Sequence, residues 1–523
     1  MESSATSDMG WQDPAAAGEK ALPDHHQALR GLPDPDQGKT DAEKKIIVRG
    51  IFSPAICIKT ATDTTQDKKL MRKVDFCLVP WLSLLYCLSF IARTNIGNAR
   101  LQGMEDSLGM DGIDYNMALT IFFVAYAFCD PVVNAILKRT SPRIFFTAIM
   151  VISGIIVTLT GLCQNYGGLL AARLFLGIVQ SGFFPGANFY MSCWYTSHEI
   201  GLRSAIFFSA AALAGSFSGL LAAAIAAMDG VAGLNGWSWI FILEGIVMAV
   251  LGVFSWWMVF DWPETARFLE ADDRVRLQRR LILDKQGPTA EGYDKRYIYE
   301  AIKDWKTYGY MFIYMGCLMP LYAFSLFLPT IIYGMGHHGT MAQLLSVPPY
   351  ACAALATVVV GFTADHTRWR GYCNMASASI AIAGFIILLS TSNSQAQYAG
   401  VFLGAMGIYP VVPNSLSWVS NNTEGSLKRA IALGMVIGWG TLNGAVSSNI
   451  YMRAQSPRYW TGHAVVLAYL VLFLLGGSVV MHVALLRENR KRKTGQRDNM
   501  LAGLTDDEVL VKGDKRPDFH YTL

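Results

Sequence analysis

Charge is what this sequence has least of: only 16% of its 523 residues are Asp, Glu, Lys or Arg, where an ordinary soluble domain carries about 25%. What charge there is crowds into residues 1–75, 261–308 and 487–523, leaving long apolar stretches in between. The net charge of +4 is small, and it sits beside apolar runs rather than in one basic patch. That placement orients a chain in a bilayer and excludes nucleic acid as a partner. Cysteine pairs at metal-ligand or redox spacing are also missing. The nine cysteines are scattered, Cys57 in the leading segment and the rest in or beside apolar runs, and read as small packing residues. No nucleophile with base and orienting partner, no phosphate loop and no metal motif occurs, so the reading is of a protein that is not an enzyme and needs no cofactor. Residues 1–45 are rich in Asp, Gln, Gly, Pro and Lys and hold no apolar core of a signal peptide. A disordered cytosolic tail is expected there.

Hydrophobic runs are what the sequence has in abundance. A bilayer core of ~30 Å takes about 20 apolar residues per helix. Such runs fall near 76–98, 116–137, 143–163, 168–191, 203–227 and 238–260, and again near 309–333, 342–364, 373–391, 397–418, 429–452 and 463–486. The pattern predicts an all-α integral membrane protein of twelve transmembrane helices in two six-helix bundles, 76–260 and 309–486, joined by a cytosolic central loop over 261–308. Arg72, Lys73, Lys138, Arg139, Arg143, Arg203, Arg368, Arg370, Lys428, Arg429 and the cluster from Arg487 to Arg492 fall on alternate connections. Those connections are assigned to the cytosol, together with the N-terminal tail 1–75 and the C-terminal tail 487–523. Arg453 and Arg458 are mild exceptions, and Glu105, Asp106, Asp111 and Asp114 lie on the opposite side.

Polar side chains inside hydrocarbon are costly, so their positions mark a cavity or a helix contact. In the second run Tyr126, Asp130 and Asn134 share a face. Asp130 is read either as a packing acid paired with a base such as Lys138 or as a gating or proton-linked group. The first run carries Arg93 with Thr94, Asn95 and Asn98; the fourth carries Arg173, Gly177, Gln180, Gly182, Pro185 and Gly186. Two arginines that do not reach the interface would bind a carboxylate through paired hydrogen bonds. Alternatively, Arg93 lies near the interface and Arg173 serves backbone carbonyls or Glu244. Pro320, Pro329, Pro348, Pro349, Pro410 and Pro413 interrupt the second half, as bent helices of a rocking carrier would. Tyr322, Ser325, Asn414 and Asn443 are neutral hydrogen-bonding candidates for a ligand cavity. Asn443, Ser447 and Tyr451 share a face in a run whose glycines at 434, 438, 440 and 444 suit close packing. His337 and His338 belong to a solvated outer loop, and the Asn421-Asn422-Thr423 glycan acceptor falls on the cytosolic side, where no glycan is expected.

Several strings are long and specific: Arg72 to Arg100, Ala118 to Val124, Gln180-Ser-Gly-Phe-Phe-Pro-Gly, Met228 to Gly245, Pro263 to Leu269, Phe324 to Ile332, Gln343 to Tyr350 and Trp418-Val-Ser-Asn-Asn422. They resemble the fungal allantoate permease family, anion:cation symporters of the major facilitator superfamily, over roughly residues 70–490. The resemblance implies the major facilitator fold and alternating-access uptake of a small organic anion, a carboxylate-type nutrient or vitamin, coupled to protons. The run Gly361-Phe-Thr-Ala-Asp365-His-Thr-Arg368 looks like the superfamily's gate motif, with Asp365 and Arg368 as acid and base; its first-half counterpart, Asn134 to Arg143, is degenerate. The family usually has acids where this chain has Ala92 and Gln180, and those acids are the family's proton carriers. Asp130 and Glu244 are the acids left in the membrane helices. The expectation is therefore an anion transporter with altered proton coupling, acting as a monomer, in the plasma membrane or else the vacuolar membrane. An exporter of a fungal secondary metabolite is the alternative within transport. A nutrient-sensing transceptor is the alternative of another class.

Overall fold

A computed structural model describes residues 65–111, 113–196, 199–225, 228–283, 295–337, 340–452, 455–497, 513–517 and 519–523. Of the disordered tail expected over 1–75, the part before residue 65 lies outside the described residues, as do Cys57, His338, Arg453 and 284–294 of the central connection, while 65–75 are helical and not disordered. Among the described residues there is no strand. Twelve helices among the described residues are long and apolar enough to cross a membrane. They are α1 (Asp67–Leu101), α2 (Asp114–Leu137), α3 (Pro142–Thr160), α4 (Tyr166–Ser192), α5 (Ile200–Ile225) and α6 (Gly236–Met258), then α7 (Trp305–Gly334), α8 (Met341–Thr367), α9 (Arg370–Ser390), α10 (Ser394–Asn421), α11 (Lys428–Ser447) and α12 (Trp460–Lys493). They form two groups of six.

Helix starts follow the local chemistry. Asn165 caps α4 by accepting from Gly168 N–H at 2.8 Å, Asn393 caps α10 at 3.0 Å from Gln395, and Ser141 with Pro142 opens α3. The ends extend past the apolar runs: α1 begins nine residues before the run at 76 because its first turns are packed against protein. Within the first half α3 lies along α6, α1 along α5 and α2 along α4. At the α3–α6 crossing a Cβ on Gly154 would stand 2.5 Å from Ala249 N, and one on Gly245 would stand 2.4 Å from Thr158 N. Backbones that close require glycine on both sides. The outward faces of the same two helices carry Ile152, Ile155, Leu159, Val250, Phe254 and Trp257, all exposed. Hydrocarbon is their solvent.

The halves meet along α5–α8 and α2–α11, with the end of α1 against α7. They touch at both ends of these seams. At the end where α5 starts and α8 stops, called the basic face below, Leu202 N–H donates to Asp365 at 2.5 Å. At the opposite face Ser216 Oγ donates to Val347 O at 3.1 Å, and Asn449 donates to Thr120 Oγ1 at 2.9 Å. The central connection holds two helices, Ala271–Leu283 and Lys295–Lys303, and the first is tied to the start of α5 by Arg280 and Glu199 at 2.8 Å. That second acid, Glu199, is pushed up by burial and pulled down further by Arg280 and Arg203, so its carboxyl is held below the ordinary range.

Candidate functional site

Three helix irregularities position the buried polar groups. The ladder of α1 breaks at Asn95, between helices ending at Thr94 and starting at Ile96; α4 breaks at Ser181 and Gly182; and α12 widens to a π-helix over Leu470–Gly476. Beside this break Arg173 ties α4 to α1: its Nη1 donates to Arg93 O at 3.2 Å. Arg173 thus takes the backbone-carbonyl role weighed above, and its guanidinium lies 5.9 Å from the ring of Phe241.

Arg93 itself points into the middle of the molecule and is 3% exposed. Its guanidinium carbon lies 5.0 Å from the Tyr126 ring, 5.5 Å from Phe122 and 5.9 Å from Phe90. Its Nε and Nη2 have no partner. Tyr322 comes from α7 in the other half and packs on Phe123 with ring centroids 4.6 Å apart. The cation is therefore enclosed by aromatic rings, and two of its donors are unmet. An interfacial location for Arg93 is excluded by this burial.

Two residues along α1, Asn95 donates to Glu244 Oε2 from α6, while Asn98 donates to Asn95 Oδ1 at 3.2 Å and to Ser218 Oγ at 3.3 Å. The second carboxyl oxygen of Glu244 has no partner. Gln180 is fully enclosed with both amide atoms unpartnered, and Ala92 is buried beside Arg93. Asp130 accepts from Asn134 on its own helix. A Cβ added to Gly438 of α11 would be 3.9 Å from its other oxygen, so the acid faces the seam between halves.

The remaining candidates are distributed. Ser325 Oγ lies 3.0 Å from Tyr409 OH, beside Tyr350 and one turn from Tyr322. Asn443 donates to Trp439 O at 2.8 Å and accepts from Tyr469 of α12 at 3.4 Å, so it ties α11 to α12. Asn414 lies away from the aromatic cluster: it donates to Arg370 O at 2.8 Å and Asn374 Oδ1 at 2.7 Å. The gate differs from the sequence expectation in its base. Arg370, buried, bonds Asp365 and Asn414 Oδ1, whereas Arg368 is exposed at φ 62, the left-handed residue that ends α8. Asp365 sits at the start of α5, where a helix N-terminus favours an anion. The reading from sequence missed Arg370 as a clasp residue and the aromatic members Tyr86, Phe90 and Phe122. For Tyr86, Phe90 and Arg93 the signal was available, since their spacing places them on one face of α1.

Two packed six-helix halves with a buried cation between them are the build of an alternating-access membrane carrier. The chain belongs to the Major Facilitator Superfamily, whose family model matches residues 82–481. It is 33% identical to the MFS-type transporter cnsO of Penicillium expansum, over 87% of this chain and 90% of that one. It is 31% identical to the high-affinity nicotinic acid transporter of Saccharomyces cerevisiae, over 87% of this chain and 85% of that one. Among solved structures it is similar in fold to a bacterial homologue of the human lysosomal transporter Spinster in an inward-facing, unoccupied conformation. That likeness has a TM-score of 0.58 at 15% identity and covers 78% of this chain and 97% of the other. The chain is accordingly a multi-pass transporter of a small molecule and not an enzyme.

Proposed function

We propose that this transporter carries a small organic anion, a carboxylate bound by Arg93 at the seam between the halves. The observation that carries the reading is the state of that guanidinium: enclosed by Phe90, Phe122 and Tyr126, and left with Nε and Nη2 unmet. Adjacent donors on one planar group match the two oxygens of a carboxylate. A buried cation without a counter-ion is costly, and a bound anion removes that cost. The flat rings around it favour a planar, ring-bearing acid. The nicotinic acid transporter among the relatives and the allantoate permease resemblance agree with this class.

Proton coupling is altered relative to that family, because Ala92 and Gln180 cannot titrate and the buried acids left to carry a proton in this region are Glu244 and Asp130. The basic face is the cytosolic one by the placement of Lys and Arg. Uptake into proteoliposomes, with and without an imposed pH gradient, tests the reading. Uptake of a labelled pyridine or benzene carboxylate is expected in the parent and lost in Arg93→Ala. Full transport by Arg93→Ala removes Arg93 from the site, and proton movement tracking substrate steeply with the gradient overturns altered coupling.

A further inference from the structure

The segment after α12 is not a loose tail where the structure describes it. Asp514 has a side chain with 0% exposure, set between the ammonium groups of Lys306 at the start of α7 and Lys428 at the start of α11, the latter 2.6 Å away. Asp304 supplies the same two lysines with a second acid, 3.4 Å and 2.9 Å off. The pocket is thus built for one inserted carboxylate: two buried cations face one resident acid, and the visiting one restores balance. Backbone recognition follows further along the segment. Asn489 of α12 exchanges two hydrogen bonds with the main chain of Tyr521, both 2.9 Å. Asn422, the residue after α10, does the same with Thr522, at 2.7 Å and 2.9 Å, and Trp418 Nε1 donates to Thr522 O at 2.9 Å. Matched amide pairs of this kind specify a strand position, not merely a charge.

The far end of the segment reaches the gate. Gly371 N–H donates to Leu523 O at 3.3 Å, and Gly371 follows Arg370, the base that holds Asp365 against the start of α5. A continuous run of contacts therefore leads from the Asp514 pocket through Leu523 and α9 to the seam between the halves.

We propose that residues 513–517 and 519–523 form an intramolecular latch, seated in a socket made by the ends of α7, α10, α11 and α12, that holds the Arg370–Asp365 clasp and so keeps the basic face shut. The latch belongs to the half it binds, so it acts by fixing the position of α9 rather than by bridging the halves itself. Release of the segment frees the first turn of α9 and loosens the clasp.

Hydrogen exchange read by mass spectrometry on the full chain in nanodiscs tests this without any substrate. The parent is compared with Asp514→Asn, which removes the seated charge, and with Thr522→Pro, which removes only the amide that Asn422 reads. In the parent, slow exchange is expected over 519–523, 199–205 and 364–373. In both variants exchange over 519–523 rises roughly tenfold or more and the two gate peptides rise with it, while peptides of α3 and α6 stay unchanged. Thr522→Pro lies outside every helix, so it reports even if Asp514→Asn fails to fold. Unprotected amides over 519–523 in the parent overturn the docking. Release of the segment with unchanged gate peptides overturns the latch.

Discussion

Arg173 donates from Nη1 to the main-chain carbonyl of Arg93 across 3.2 Å, so the two arginines inside the membrane have different tasks. One faces the seam between halves; the other holds the broken helix from which the first projects. Removing the Arg173 donor takes away a buried, charge-assisted hydrogen bond between α4 and α1, at a cost of about 1–3 kcal/mol. Arg173→Ala is therefore expected to lower the unfolding temperature in detergent and to weaken transport partially. Arg93→Ala removes a cation whose Nε and Nη2 were unmet, and is expected to keep or raise that temperature while abolishing anion uptake. Equal thermal destabilisation by both variants would sink this division.

Glu244 is a buried carboxyl of α6 held by Asn95 of α1 on one oxygen and unpartnered on the other. An acid so enclosed changes its charge only when one face of the carrier opens to water. Glu244→Gln keeps the shape and removes the titration. Whatever dependence on a pH gradient the parent shows is expected to vanish in this variant, with substrate exchange across the membrane retained. Proteoliposome counterflow beside gradient-driven uptake separates the two. Gradient dependence surviving in Glu244→Gln would assign the proton elsewhere.

Twelve helices, their pairing into halves and the buried arginine were legible in the sequence because hydropathy and buried charge are local signals. The clasp was legible only in part. Asp365 falls in the expected place, but both Arg368 and Arg370 are basic residues near a helix end, and only the left-handed turn at 368 decides which one points inward. Asn414 looks like a cavity residue by its place in a proline-bent apolar run. Its partners Arg370 and Asn374 come from α9, a pairing 44 and 40 residues away that no periodicity encodes. The docked segment was hidden for a related reason: Asp514 lies in a polar stretch that reads as a solvated tail, and the lysines that bury it are 208 and 86 residues distant.

Two glycines on α5 mark opposite ends of the same seam with α8. A Cβ at Gly219 would stand 2.8 Å from Gln343 O and from Ser346 Oγ, and one at Gly201 would fall against the Asp365 carboxylate at 2.1 Å. Larger side chains should therefore bias the carrier in opposite directions. Gly219→Leu is expected to hold the face away from the clasp open, and Gly201→Leu to open the clasp side. Cysteine-reactive probes or spin-label distances across each end of the seam check this in either variant. Both substitutions opening the same face would contradict the seam described here.

The Asp514 pocket also predicts how the docked segment responds to acid. Burial raises the carboxyl's pKa, but Lys306 and Lys428, by charge and by hydrogen bonding, outweigh it and hold Asp514 below the ordinary carboxylate range. A depressed pKa means that the docked state binds its proton less readily than the released one. The stabilisation from ionised Asp514 is then complete above the released value of about 4 and is lost as pH falls through the lower docked value. Protection of amides over 519–523 is thus expected to be flat between pH 5 and 8, after correction for intrinsic exchange rates, and to fail only below about pH 4. In Asp514→Asn the acid transition should disappear, because no titrating group remains at that position. A loss of protection centred near pH 6 would show that the response does not come from Asp514.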